Sequence, residues 1–107
     1  MRLERHPAVI RDDLPDLYSH IAGDKPRAAE RLLDAISDTF AQIAKHPESG
    51  MVYPTNNPRL KIVRMLPVKG FPNYLVFFRI DPDAVRILYV IHGARNLRQL
   101  FGKQPRS

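Results

Sequence analysis

Four histidines, His6, His20, His46 and His92, are the first groups to weigh for chemistry, because imidazole binds metals and moves protons near neutrality. They stand 14, 26 and 46 residues apart, with no cysteine and no His-x-x-x-His pair, so metal-ligand spacing is absent. Neither a metal nor a cofactor is expected. Ser19, Ser37, Ser49 and Thr39 lack the context of a nucleophile elbow, and Gly70 is too isolated for a phosphate-binding loop. Asp12, Asp13 and Asp16 could act as general bases, but a place at the start of a helix, where carboxylates complement the dipole, explains them adequately. Asp34 and Asp38 form a like-charge pair of no evident function.

The basic residues form the larger set. Lys61, Arg64, Lys69, Arg79, Arg86, Arg95, Arg98, Lys103 and Arg106 all fall after residue 58, interleaved with Phe71, Tyr74, Phe77, Phe78, Tyr89 and Phe101. Guanidinium groups stay charged and grip phosphate or carboxylate in a bidentate fork. The aromatics could stack on bases, although most lie in strand-like segments and read as core. His92-Gly93-Ala94-Arg95 is the sharpest local feature: a glycine after an apolar strand frees the backbone and presents Arg95 at the strand's end.

Two helices and a sheet must position these groups. Ile10, Leu14, Leu17, Tyr18 and Ile21 make one helical stripe over residues 10–22, closed by Gly23. Asp24 is placed to cap a second helix, with Pro26 in its first turn. That helix continues through Ala29, Leu32, Leu33, Ile36, Phe40 and Ile43 until Pro47 and Gly50 end it. The short link predicts a helical hairpin. Beyond a loop containing Pro54 and Pro58, residues 60–66, 73–80 and 84–91 have strand length and are rich in Val, Ile, Phe and Tyr. Asp81-Pro82-Asp83 joins the last two as a hairpin. In the second of the three segments Tyr74, Val76, Phe78 and Ile80 should share one face, and in the third Val85, Ile87, Tyr89 and Ile91 should; the opposite faces are apolar enough for the sheet to be covered on its second side at least in part. Residues 2–5 could add a strand, and residues 103–107 read as a flexible tail. The expectation is one α+β domain over residues 1–107, a helical hairpin on an antiparallel sheet of three to four strands in the order βααβββ.

Composition agrees. A chain of 107 residues buries roughly two-thirds of its unfolded surface, enough for a core without disulfide or metal staples. The absence of cysteine excludes a disulfide framework and a thiol nucleophile, and no apolar run reaches the ~18 residues of a membrane span. A soluble cytoplasmic protein is expected. The net charge of +6 divides unevenly: residues 1–58 carry −2, and residues 59–107 carry +8. The basic half suits a polyanionic or acidic partner, or else a solvated surface balanced by the acidic half.

Read in order, Asp13-Leu14 with Tyr18 and Ile21-Ala22, Pro26-x-Ala28-Ala29, Pro47-x-x-Gly50, Val63-Arg64, the run Gly70-Phe71-Pro72-x-Tyr74-Leu75-Val76-Phe77-Phe78-Arg79, and Ile87-Leu88-x-Val90-x-His92-Gly93-Ala94-Arg95 with Leu97 resemble toxins of the RelE/ParE superfamily of bacterial toxin–antitoxin systems. The resemblance spans nearly the whole chain. It implies a helical hairpin on a small antiparallel sheet and one of two activities. Ribonuclease members cleave messenger RNA in the ribosome with basic strand residues and a C-terminal Tyr or His. Here that C-terminal position falls on Phe101 and the strand arginine on Leu75, so only Arg95 carries over, with Arg64 and Lys61 as its companions if the chain is a ribonuclease. Losing an acid/base group removes on the order of 10²–10⁴ in rate. The departures point to the ParE branch, whose members bind and poison DNA gyrase. Target binding is then assigned to Arg64, Arg79, Arg95 and Arg98. Binding of a cognate antitoxin, through an acidic segment that folds on contact, is assigned to Leu33, Phe40, Phe77 and Arg79. A ribosome-dependent ribonuclease is the alternative, and a member that binds antitoxin without being toxic is a third.

Overall fold

The computed structural model describes residues 1–53, 62–94 and 106. The chain runs β1 (Leu3–Arg5), a turn of π-helix (Val9–Asp13), α1 (Leu14–Ala22), α2 (Pro26–Lys45), a 3-10 turn (Pro47–Ser49), β2 (Met51–Val52), β3 (Val63–Val68), β4 (Phe71–Ile80) and β5 (Val85–His92). The five strands form one sheet in the order β1-β5-β4-β3-β2. The α+β class and the helical hairpin are as expected, and the sheet has one strand more than the expected maximum. It is also mixed. β3, β4 and β5 are antiparallel neighbours, but β1 lies parallel to β5, with Leu3 opposite Val85 and Arg5 opposite Ile87. A parallel neighbour needs a long crossover, which the rest of the chain supplies.

Helix α2 buries Ala29, Leu32, Ile36, Thr39, Phe40 and Ile43, the 3.6-residue stripe seen in the sequence. Thr39, the one polar residue in that stripe, donates its hydroxyl to the Ala35 carbonyl at 2.7 Å. Asp24 does not cap the helix: Lys25 occupies the cap position and no side chain bonds there. The first helix departs from its predicted phase. The Leu14 N–H reaches back five residues to the Val9 carbonyl, so Val9 is fully buried while Ile10, the predicted first member of the stripe, is exposed. One extra residue in a turn rotates everything before it.

A second extra residue does the same to the sheet. Phe77 faces Tyr89 and Phe78 faces Ile87, leaving Leu88 as a bulge in β5. After the bulge the alternation inverts. Val85, Ile87 and Val90 pack with Val76 and Phe78 beneath the helices, while Leu88, Tyr89 and Ile91 join Phe77, Val63 and Tyr53 on the opposite face. Tyr89 and Ile91 therefore lie opposite to Val85 and Ile87, with which they were expected to share a face, because a slip of one residue flips the side chains beyond it. The expectation of two apolar faces holds: Phe77 and Leu88, away from the helices, are each 1% exposed. Tyr53 meets Phe77 edge-on at 5.2 Å between ring centroids.

Candidate functional site

On β1, β5 and the end of β4, charged groups pair with one another. Glu4, Arg86 and Arg79 stand in register across β1, β5 and β4. Arg79 donates to both oxygens of Asp81, from Nε at 2.8 Å and from Nη2 at 3.1 Å. Arg86 adds its Nε to Asp81 at 2.8 Å and its Nη1 to Glu4. Arg2 closes the row on Glu4 at 2.8 Å and Asp83 at 3.2 Å. Hydrogen bonds from Arg79 first, and then from Arg86, hold the Asp81 carboxyl below its usual 3.8 against the opposing effect of burial. A carboxylate whose folded pKa is depressed stabilises the fold above the unfolded value and loses that contribution as pH falls through the folded one. Asp81→Asn should therefore lower the melting temperature at neutral pH and flatten its decline below pH 3.8. Thermal melts between pH 2 and 7 check this, and an unchanged acid limb would count against it.

Beyond Ile87, where β1 ends, the edge of β5 is met by two side chains. Asp13 Oδ2 accepts the Val90 N–H at 3.0 Å, and Arg106 Nη1 donates to the Leu88 carbonyl at 3.1 Å. The two also bond each other, Arg106 Nη1 to Asp13 Oδ2 at 2.6 Å and Nη2 to Oδ1 at 3.0 Å, a bidentate fork. Arg106 Cζ lies 4.4 Å from the centre of the Tyr89 ring, and its backbone N–H donates to the Tyr89 hydroxyl at 2.8 Å. Asp13 thus does more than complement a helix dipole. Within the predicted flexible tail, Arg106 is held at five points, and residues 103–105 and 107 lie outside the described residues.

The residues assigned to function from sequence scatter. Lys61, Arg95, Arg98 and Phe101 lie outside the described residues. Arg64 is half-buried and donates to the Gly50 carbonyl at 2.9 Å, tying β3 to the turn before β2. Arg79 is neutralised by Asp81. Phe40 and Phe77 are 4% and 1% exposed, in cores on opposite faces of the sheet, and Leu33 packs half-buried against the helix-side core. These four do not form one surface. Leu75 sits half-buried among the apolar residues of the far face. Gly93 has an ordinary φ, and its lack of a side chain matters through space instead, since a Cβ there would approach Leu75 Cδ1 to 3.1 Å.

The outermost strand is what sequence reading missed. Met51 and Val52 of β2 are 59% and 54% exposed and Ile62, just before β3, is 63% exposed, and among the described residues β2 is the outermost strand on that side of the sheet. A two-residue strand carries too little periodicity to register. The signal available was the Met51-Val52-Tyr53 run after Gly50.

Comparison with known proteins bears on what such an arrangement does. No curated protein sequence matches the chain. Among solved structures, one described as "Chromosomal ParDE TA system from P. aeruginosa" superposes with a TM-score of 0.69 at 20% identity, covering 86% of this chain and 95% of that one. That likeness concerns the fold. Among protein families, residues 5–97 match the one described as "ParE toxin of type II toxin-antitoxin system, parDE", a span that takes in both helices and all of β3, β4 and β5. The chain belongs to the ParE toxin family of type II toxin–antitoxin systems.

Proposed function

We propose that the protein is a cytoplasmic toxin that arrests growth by binding DNA gyrase, and that an antitoxin encoded beside it neutralises it. Family membership across residues 5–97 is the observation that carries this reading. Binding rather than catalysis is favoured by the resemblance, which puts Leu75 where ribonucleases of the superfamily carry an arginine and Phe101 where they carry an acid/base group. A gyrase supercoiling assay tests it. Supercoiling should fall at micromolar protein, and unchanged supercoiling with no trapped cleavage complex would refute the proposal.

The antitoxin contact moves from Phe40 and Phe77, which are buried, to the β2 edge. An extended segment can add main-chain hydrogen bonds there and cover Met51, Val52 and Ile62. Val52→Glu should weaken antitoxin binding by about tenfold or more, or about 1.4 kcal/mol. Because Val52 is exposed, the melting temperature of the free toxin should hardly move. Titration calorimetry with the purified antitoxin checks both halves, and unchanged affinity would place the contact elsewhere.

A further inference from the structure

His6 joins β1 to the helical layer and is bonded in three directions. Its N–H donates to the Ile87 carbonyl at 2.8 Å, its carbonyl accepts the Val9 N–H at 2.9 Å, and its ring Nδ1 accepts the Ala8 N–H at 3.1 Å. Pro7 and Ala8 are already helical, so the ring caps the first turn in the place usually taken by a short oxygen-bearing side chain, and Pro7 follows where a missing N–H costs nothing. An imidazole differs from those caps in one respect. Only the neutral ring keeps a lone pair for the Ala8 N–H, because in the protonated ring both nitrogens are donors. The amide of Ala8, a buried residue, then loses its acceptor, and a positive charge stands at the positive end of a helix.

The same residue is next to the Asp13–Arg106 fork. Along the edge of β5, where β1 ends, the Ile87 carbonyl is met by His6, the Leu88 carbonyl by Arg106 and the Val90 N–H by Asp13. Among the described residues, the charged groups acting on the ring are Arg106 from the C-terminal segment and Arg11 and Asp13 from the π-helical turn. Arg5 and Arg86 are engaged elsewhere, the first over the Phe40 ring and the second by Asp81 and Glu4.

We propose that His6 is a proton-operated cap that couples pH to the seating of Arg106 on the β5 edge. With the ring neutral, Ala8 is capped and Arg106 is held by Asp13, Leu88 and Tyr89. With the ring charged, Ala8 is released and the ring competes with Arg106 for the Asp13 carboxylate, while Arg11 is occupied by Asp12. Such coupling is reciprocal: the seated Arg106 disfavours a proton on His6, so a proton on His6 disfavours the seated Arg106 by the same factor. Unseating Arg106 bares the Leu88 carbonyl, a group that a further strand needs in order to pair with β5 past the end of β1. The switch rests on neither the gyrase reading nor the antitoxin contact at β2.

The sign of the effect follows from the surroundings of the ring. Burial first, and then the charge of Arg106, hold the folded His6 pKa below its usual 6.5; Arg11 acts in the same sense and Asp13 opposes them. The neutral cap therefore contributes stability that is present above pH 6.5 and is lost as pH falls through the folded value. That loss begins well above the range in which Asp81 takes up its proton.

The test is NMR of the full chain from about pH 7 to about pH 5, the range in which a histidine changes charge. The His6 ring should titrate below 6.5, and higher in Arg106→Gln, which removes the neighbouring charge. Hydrogen-exchange protection, corrected for the intrinsic effect of pH on exchange, should fall about tenfold at the Ala8 N–H and about fivefold at the Arg106 N–H as the ring charges. His6→Asn keeps an oxygen to accept the Ala8 N–H and gains no proton, so it should fold normally and protect both amides equally across the range. A His6 ring that titrates at or above 6.5, an Arg106 amide equally protected at both ends of the range, or a loss in His6→Asn as large as in the parent chain overturns the proposal.

Discussion

Replacing Asp13 with alanine is expected to destabilise the fold by about 3 kcal/mol, the size of effect found when one partner of a buried ion pair is removed. Its carboxylate is only 9% exposed and accepts three hydrogen bonds, from the Val90 N–H and from two nitrogens of Arg106. Truncation leaves a guanidinium that is 22% exposed without its counter-ion and a strand amide without its acceptor. An amide left in that state costs about 1–3 kcal/mol by itself. Asp13→Asn should fall between, because an amide oxygen still serves Val90 while the charge is lost. Arg106→Ala should cost less, about 1 kcal/mol, since the carboxylate keeps its bond to Val90. A domain of this kind has about 5–15 kcal/mol of stability in total, so the alanine variant gives up a large share of it. Urea denaturation checks the order: the midpoint should fall most for Asp13→Ala with little change in slope. A loss below about 0.5 kcal/mol, ordinary for a surface substitution, would show that Asp13 and Arg106 are independent surface groups.

A single methyl group at Gly50 should cost nearly as much, about 2–3 kcal/mol. The backbone there is ordinary, with φ of −76°, so strain is not the reason. The added carbon would stand 2.6 Å from Phe78 Cε1 and closer still to Cζ. Phe78 is fully buried in the core beneath the helices and cannot swing aside. Phe78→Leu removes the part of the ring that the methyl would strike. The double variant should therefore be more stable than the sum of the two single losses predicts, by about 1 kcal/mol or more. Gly70→Ala is the control. Its φ of +81° disfavours alanine, but nothing lies within 4 Å of the new carbon, so it should cost only about 1 kcal/mol and show no coupling to Phe78. Strict additivity in the Gly50–Phe78 cycle would mean that the ring relocates freely.

The two helices and the three long strands were legible because each announces itself within its own segment, as in the stripe from Ala29 to Ile43 or the β-branched and aromatic run of β4. What was not legible depends on partners far away in the chain or on a single inserted residue. Val9 and Ile10 look alike as helix formers, and only the five-residue reach of Leu14 decides which is buried. The bulge at Leu88 is invisible to a period of two, although it determines which side of the sheet Tyr89 occupies. Charge misled for the same reason. The contrast between an acidic first half and a basic second half suggested an external partner, yet Glu4 and Asp13 of the first half bind Arg86 and Arg106 of the second, the latter across 93 positions. Family likeness could be read from the order of short motifs. The scatter of the assigned binding residues could not, because burial of Phe40 and Phe77 is a property of the assembled layers.

The interior place of β5 has a consequence for synthesis. A ribosome delivers β1 first, yet its only neighbour in the sheet among the described residues is a strand that begins at Val85, and the edge of that strand beyond β1 is closed by Arg106. On a growing chain the helical hairpin can form early from local contacts, while the sheet still lacks the strand that joins its N-terminal edge to the rest. The native sheet therefore cannot be completed until β5 has been made, and until then the nascent chain carries a partly assembled layer.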